Sequence, residues 1–466
     1  MSESRKVVIV GGGIAGLTAA YALWKLQVPF TLCEASGQLG GVIRSESSEG
    51  FLLEAGPDSL LAQKPEGLAL CRELGLGPRL QPTNTDERKV YIVRNGRLHA
   101  LPDGLMLMVP TRILPFLASS LFSWAGKLRM ARDLAIPRRR DGVDESIADF
   151  MRRRFGQEAL DLLGEPLMAG IHSGDPEKLS MRATFPRFVE LEARYGSLVR
   201  GMLAARRGRR SAPAQAAFYS LKGGLAVLVS ALSARLPAAE LRTGARVRGL
   251  MRDGSAWRVR LESDEQLSAS AVVVATPTLA AADLLAPLAD DLGRTLSAIP
   301  FVSTAMVYLG FAAKQVAHPL DGYGLLVPRR ERLRSTAWSF FSTKYAGRAP
   351  HGQVLLRAFF GGARDPDILS LDDDALIALA RSEAERLLGA SGAPTLTRVY
   401  RWPQATPQME VGHQARVAQL ERRLAEMPGL FLTGAGLRSV GIPDGVADAT
   451  RVAEAAAAFV SANQPQ

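Results

Sequence analysis

Apolar residues gather in short unbroken runs near both ends of the chain and in looser, alternating runs between them. Residues 7–10 read VVIV and residues 30–33 read FTLC, without the polar alternation of a strand that is wet on one face. Such runs predict strands buried on both sides. The pattern returns at 271–276 (AVVVAT) and at 430–436 (LFLTGAG). Between these, strand-forming sequence covers 240–261, and the segments 303–311, 322–327 and 354–360 predict a second, more antiparallel sheet. A hairpin is predicted over 90–98, turning at Asn95-Gly96. Helical spacing is clearest at 372–388, where Asp372 to Asp374 cap the start and Leu376, Leu379, Ala380, Glu383 and Leu387 recur three or four apart. Residues 66–76 and 445–462 are also predicted helices, and residues 101–210 are helical in character.

The first buried run passes directly into Gly11-Gly12-Gly13-Ile14-Ala15-Gly16, a helix follows, and the second run ends on the acid Glu34. Strand, glycine turn, helix and a distant acid together form a dinucleotide-binding fingerprint. Gly11 permits the tight turn. Gly13 lets backbone N–H groups approach a pyrophosphate at the helix N-terminus, where the dipole favours anions. Gly16 allows close helix–strand packing, and Glu34 can accept hydrogen bonds from ribose hydroxyls. A chain of 466 residues should form two or three domains. The predicted fold is α/β (α+β overall). A discontinuous Rossmann-type domain is expected from residues 1–80, 215–285 and 405–466, an antiparallel-sheet domain from 81–100 and 286–404, and an inserted helical domain from 101–214.

Composition narrows the function. With 47% hydrophobic and 22% charged residues the chain is globular, and its net charge of +11 comes mostly from arginine, clustered at 138–140, 152–154 and 206–210. These clusters suit anionic lipid or an acidic small molecule, or are simply solvated; no nucleic-acid motif accompanies them. Cys33 and Cys71 are two in number and make no disulfide framework, so a reducing compartment is expected. The MSESRKVVIV start enters the nucleotide fold at once, and a cytoplasmic location is expected. Residues 104–126 are rich in Leu, Met, Phe and Trp, but Pro110, Arg112 and Pro115 interrupt them, short of the ~18 apolar residues of a spanning helix. The segment reads either as a surface that dips into a bilayer or as one wall of an apolar chamber; the two are compatible. Five scattered histidines, with no His-Asp-Ser set and no metal-ligand spacing, leave no expected metal and point to cofactor-driven chemistry.

Glu34 alone does not separate NAD from FAD. Gly40-Gly41 with Arg44, then Glu54-Ala55-Gly56-Pro57, and the glycine-bearing strand near the C-terminus together resemble the FAD-containing amine oxidase and desaturase superfamily. Within it the chain is similar, over nearly its whole length, to the protoporphyrinogen/coproporphyrinogen oxidase family. The carrying segments are EPLMAGIHSG at 165–174, continuing through DPEKLSMRATFP, YSLKGGLAVL at 219–228, and VGIPDG at 440–445.

The resemblance implies FAD-dependent oxidation of a porphyrinogen to the porphyrin in haem biosynthesis. Six electrons would leave in three steps, with dioxygen as acceptor and hydrogen peroxide as by-product. By the family's pattern FAD would touch Gly11, Gly12, Gly13, Ile14, Ala15 and Gly16, then Glu34 and Ala35. Gly41, Val42 and Arg44 would run along the pyrophosphate and flavin, followed by Gly56, Pro57, Asp58 and Ser59. Later contacts would be Val247, Trp402, and Val440, Gly441 and Ile442. The Gly170 carbonyl would face the pyrrole N–H groups, and Tyr323, Leu326 and Phe359 would form the walls about the macrocycle. Peripheral membrane contact and a homodimer are compatible with the family.

One position departs from several relatives. Where they carry an arginine that pairs with a substrate propionate, this chain has Val90; Arg88 and Lys89 are the basic residues that could substitute, but strand alternation should turn Lys89 to the opposite face. Protoporphyrinogen and coproporphyrinogen therefore both remain as substrates. Glu54 is expected to orient Arg44, Asp444 to cap the last helix, and His172 either to touch substrate or to pack. The rival readings are a flavin amine oxidase or carotenoid desaturase, and a binding protein of the same fold that has lost flavin chemistry. No cysteine lies near the C-terminus to hold FAD covalently, and the intact Gly11, Gly13, Gly16 and Glu34 set argues against loss.

Overall fold

The computed structural model describes residues 6–106, 108–208, 216–438 and 440–463. The unbroken apolar runs form the middle of a parallel sheet. Among the described residues its order is Leu241–Arg242, Phe30–Cys33, Val7–Val10, Ala271–Val274 and Leu430–Leu432. Val7 pairs with Phe30 on one side and Ala271 on the other, and Val272 pairs with Leu430.

Period-two alternation explains why the first run has no polar position. Val7 and Ile9 enter the core beneath the helices Ile14–Lys25, Ala226–Arg235 and Ile442–Ala462. Val8 and Val10 enter the opposite core, against the meander Val247–Asp253, Ala256–Leu261 and Gln266–Ala269 and the helix Thr278–Leu285. The polar exception, Thr31, is buried and donates to Glu240 (2.7 Å).

The second sheet runs Leu396–Pro407, Phe301–Ala312, Gln353–Gly361, Ser335–Phe340, Gly322–Leu326, Lys89–Arg94 and Arg97–Ala100. Only the pair Gly322–Leu326 with Lys89–Arg94 is parallel, so the predicted antiparallel character is present. Its outer face, including Ala305, Val307, Leu309, Leu356 and Ala358, packs on the helix Asp373–Leu388. Asp372 caps that helix as expected, its carboxylate accepting from the Ala375 N–H (2.8 Å). Two strands were not evident from the pattern: Ser335–Phe340, which is buried throughout, and Leu396–Pro407, whose charged residues suit an edge strand.

Between these sheets in sequence lies a helical layer that includes Ile113–Ala118, Trp124–Ala131, Ile147–Arg154, Glu165–His172, Pro186–Tyr195 and Leu198–Gly208. Arg154, sealed from solvent, staples it by pairing with Asp133 (3.3 Å) and Glu192. The arginines at 206–210 lie outside the described side chains.

Candidate active site

The sequence-predicted cradle is assembled at the C-terminal ends of the parallel strands. Gly11 adopts φ +108°, which favours glycine, and a Cβ on Gly16 would lie 1.8 Å from the Gly11 carbonyl oxygen. The two glycine turns touch: the Gly40 N–H donates to the Gly12 carbonyl (2.8 Å), and Gly13 and Gly40 form a parallel bridge. Glu34 accepts from the Gly12 N–H (2.6 Å) through one oxygen and from Ser36 N–H and Oγ (2.8 and 2.7 Å) through the other. The Glu34–Ser36 loop is bound by residues 242–245, which brings the start of Val247–Asp253 beside it. Gly56 presses on the second glycine turn, where an added Cβ would stand 2.0 Å from the Val42 oxygen.

A Cβ built on Gly13, by contrast, meets nothing within 4 Å. Helix Ile14–Lys25 therefore presents its N-terminal N–H groups over open backbone, with Glu34 held beside Gly12. This arrangement fits a dinucleotide diphosphate. The helix Ile442–Ala462 brings a second N-terminus to the same unit, with Gly441 as its N-cap. Asp444 is not that cap: it sits in the first turn and accepts from Lys64 (2.5 Å). Residue 439 lies outside the described residues, whereas Val440, Gly441 and Ile442 lie within them.

Glu54 does not orient Arg44. It lies wholly buried at the end of the strand Phe51–Glu54, where it pairs with Arg348 (3.0 Å), accepts from Ser45 Oγ (2.6 Å) and from the Leu225 N–H (2.9 Å). The expected partnership fails because the strand turns this side chain inward, toward a buried guanidinium. Burial pushes the Glu54 carboxyl up, against the hydrogen bond from Ser45 and the Arg348 charge. Arg44 stays at the surface, donating to the Gly41 carbonyl (3.0 Å) with its guanidinium 5.6 Å over the Trp402 ring. Trp402 in turn donates its indole N–H to the Ala55 carbonyl.

The inner face of the seven-stranded sheet meets this hairpin. Tyr308 donates to the Glu54 carbonyl (2.9 Å), and Arg357 pairs with Asp58 and lies 4.5 Å over the Phe359 ring. Lys344 reaches Asp58 and Ser59 Oγ, each at 3.0 Å. Burial works against the Asp58 charge, but Arg357 and Lys344 prevail and hold it well below the usual carboxylate range. Arg348, Arg357, Lys344 and Tyr308 were missed in the sequence. A single arginine inside the apolar strand VLLRAFF was the available sign of a buried ion pair.

Of the residues expected to wall the macrocycle, Leu326 and Phe359 lie in one row of that face. Ile92, Leu326, Ala337, Phe359, Met306 and Tyr400 are cross-strand partners in one row. Helix Glu165–His172 lies against this row, and a Cβ on Gly170 would come within 2.7 Å of Leu326 and 3.3 Å of Ala337. The helix closes with Ser173 at φ +51°; the N–H groups of Ser173 and Gly174, which could have bonded to Gly170, both turn to the Met168 carbonyl (3.2 Å for Gly174). The Gly170 carbonyl is thus left at the negative end of a helix without those donors. His172 packs edge-on against Phe185, and burial, then the nearby Lys64 charge, pushes its imidazole down to about 4. Tyr323 sits in a bulge opposite Val90 and donates to the Asn84 carbonyl (2.5 Å). Val90 packs inward against the cluster that includes Leu326 and Ala337, while Lys89 pairs with Asp321.

Residues 14–457 match the model of the flavin containing amine oxidoreductase family. Coproporphyrinogen III oxidase of Bacillus subtilis (strain 168) is 36% identical over 456 residues, covering 95% of this chain and 96% of the relative. The Staphylococcus aureus protein of the same name is 32% identical, covering 97% and 98% of the two chains. A crystal structure from Exiguobacterium sp. 255-15, assigned as a protoporphyrinogen oxidase, superposes with a TM-score of 0.86 at 31% identity, covering 98% of this chain and 99% of that one. Putrescine oxidase (TM-score 0.70, 16% identity) shares the fold alone. The chain is thus an FAD-containing oxidoreductase of the flavin containing amine oxidoreductase family, belonging to its protoporphyrinogen/coproporphyrinogen oxidases.

Proposed function

We propose that this protein oxidises coproporphyrinogen III or protoporphyrinogen IX to the porphyrin in haem synthesis, with dioxygen as acceptor and hydrogen peroxide as by-product. Per macrocycle, three dioxygen molecules become three of peroxide. The observation that carries the reading is the end of helix Glu165–His172. There Gly170 offers a carbonyl without its helical donors, seated against Leu326 and Ala337 in the row that continues to Phe359.

Bound FAD supplies the acceptor for a hydride leaving a meso carbon of the macrocycle. The chain's own part is positional. Gly170 accepts from pyrrole N–H groups and fixes the tilt of the ring. Leu326, Phe359 and Tyr323 enclose its faces and exclude water, so one C–H is held in place. The proton lost with each hydride would be taken up in forming the peroxide, so the overall reaction balances with no side chain assigned as a base. The Gly11–Gly16, Glu34–Ala35, Gly41–Arg44, Gly56–Ser59, Val247, Trp402 and Val440–Ile442 contacts hold the cofactor. The three domains assigned from the sequence divide this work between cofactor, macrocycle and a helical surface.

The helical surface carries a second part of the reading, contact with an anionic membrane. Leu114 is 80% and Trp124 67% exposed, Ile113, Leu117 and Leu128 are exposed beside them, and Arg112 and Arg132 flank the patch. No helix among the described residues is long and apolar enough to cross a membrane. A cytoplasmic enzyme resting on the inner face of the membrane accords with both facts.

The test is aerobic turnover of each porphyrinogen, followed by porphyrin fluorescence together with peroxide released. Porphyrin above the autoxidation rate, with three peroxides per macrocycle, is expected for at least one substrate. Autoxidation rates with both would overturn the proposal.

A further inference from the structure

The buried charges at the junction of the two sheets do not balance. Glu54 and Arg348 form a closed pair, both wholly sealed from solvent. Beside them Asp58 is shared by two cations, Arg357 and Lys344, and no other carboxylate pairs with either among the described residues. The cluster therefore holds one positive charge in excess. An excess charge away from water is costly unless an anion meets it.

Lys344 is the member able to receive that anion. The Arg357 side chain is 4% exposed and committed to Asp58 and to Tyr308, whereas Lys344 keeps 16% exposure. Its ammonium has three donors, of which Asp58 and Ser59 Oγ take two. Its position is between the two halves of the site. On one side stands Ser59, in the segment assigned to the cofactor. On the other, the Asn84 N–H donates to the Lys344 carbonyl (3.1 Å) and the Asn84 carbonyl accepts from Tyr323 (2.5 Å). In the rim hairpin Val90 packs inward and Lys89 is held by Asp321, so neither supplies a competing cation.

We propose that the Lys344 ammonium binds a carboxylate of the substrate macrocycle inside the cleft, and so favours a macrocycle with an acidic side chain on every pyrrole over one with vinyl groups on two of them. This rests on the reading of the protein as a porphyrinogen oxidase. A vinyl group placed there would leave the excess charge unmatched, while a propionate would neutralise it. Burial pushes the Lys344 ammonium down against the pull of Asp58, so an arriving carboxylate also stabilises its charged form.

The experiment compares the FAD-loaded wild type with Lys344→Met and Lys344→Arg. Lys344→Met leaves Asp58 paired with Arg357, and bound FAD per chain is measured to check its folding. Turnover of coproporphyrinogen III and protoporphyrinogen IX is read as separate kcat and KM values. Binding of coproporphyrin III and of its tetramethyl ester is read by fluorescence titration. Lys344→Met should raise KM for coproporphyrinogen at least tenfold and lower the coproporphyrinogen-to-protoporphyrinogen ratio of kcat/KM by a similar factor. It should weaken coproporphyrin but not the uncharged ester, and Lys344→Arg should restore most of the preference. A merely structural lysine would affect acid and ester alike. Equal weakening of both, or a wild-type preference that survives Lys344→Met, would overturn the inference while leaving the oxidase reading intact. A wild type that oxidises neither porphyrinogen would overturn that reading, and this inference with it.

Discussion

Arg348 and Glu54 meet at 3.0 Å with both side chains wholly sealed from solvent, joining the loop after Lys344 to the hairpin that carries Gly56. Removing one partner strands the other charge in the interior. Arg348→Met should cost about 3–5 kcal/mol, and adding Glu54→Leu should recover most of the loss. Urea denaturation of the single and double variants measures both. A single variant as stable as the wild type would show the pair to be dispensable.

The glycines of the first turn should separate folding from cofactor retention. Gly16→Ala forces a methyl to within 1.8 Å of a backbone oxygen, so it should lower stability and expression even without cofactor. A side chain at Gly13 meets no protein atom within 4 Å, so Gly13→Val should fold. It should nevertheless purify colourless, because its side chain occupies the approach of the pyrophosphate. The visible absorption spectrum and the thermal midpoint of each variant distinguish the two effects. A yellow Gly13→Val protein would refute the assigned cofactor position.

His172 should make the protein acid-sensitive. Burial, then the Lys64 charge, lowers its folded value to about 4, below the ordinary imidazole value near 6.5, so between these limits the unfolded chain binds the extra proton. Stability from this group is therefore fully present above the unfolded value and falls as pH drops toward 4. The loss from pH 8 to pH 5 should be about 2 kcal/mol. His172→Phe should flatten that part of the profile in urea titrations at the two pH values. An unchanged slope would place the acid sensitivity elsewhere.

The patch at Trp124 and Leu128 gives a prediction that needs no turnover assay. The wild type should co-sediment with vesicles containing phosphatidylglycerol, and Trp124→Ser with Leu128→Ser should reduce the bound fraction several-fold. High salt should also weaken binding if Arg112 and Arg132 contribute. Equal sedimentation with neutral vesicles would remove the electrostatic part of the account.

Much of the architecture was legible because burial on two faces leaves an unmistakable mark. Val7 to Val10 could lie only in a covered sheet, and Gly11, Gly13, Gly16 and Glu34 are spaced by backbone geometry that local sequence records. Gly170, Leu326 and Phe359 came from resemblance alone, yet their meeting depends on register: Leu326 pairs with Ala337 and Ala337 with Phe359, through a strand that the pattern did not reveal. Ser335–Phe340 was hidden because its serines and threonine are buried and hydrogen-bonded, so polarity no longer reported exposure. The Glu54, Arg348, Asp58, Arg357 and Lys344 cluster was hidden for a related reason. Its members lie up to about 300 positions apart, as Asp58 and Arg357 do, and a charge in sequence does not say which opposite charge it will meet.

Val7–Val10 is made long before one of its two neighbours, Ala271–Val274, whose own far neighbour is Leu430–Leu432. During synthesis the strand before the glycine turn must wait, half-paired, until Ala271–Val274 has emerged, and that strand waits in turn for Leu430–Leu432. Contacts of such span make for slow closure and a long exposure of apolar strand edges. Completion of the parallel sheet is therefore a late event in the life of the nascent chain, and a message truncated before Leu430 should yield a protein whose Ala271–Val274 edge stays unpaired and is bound by chaperones.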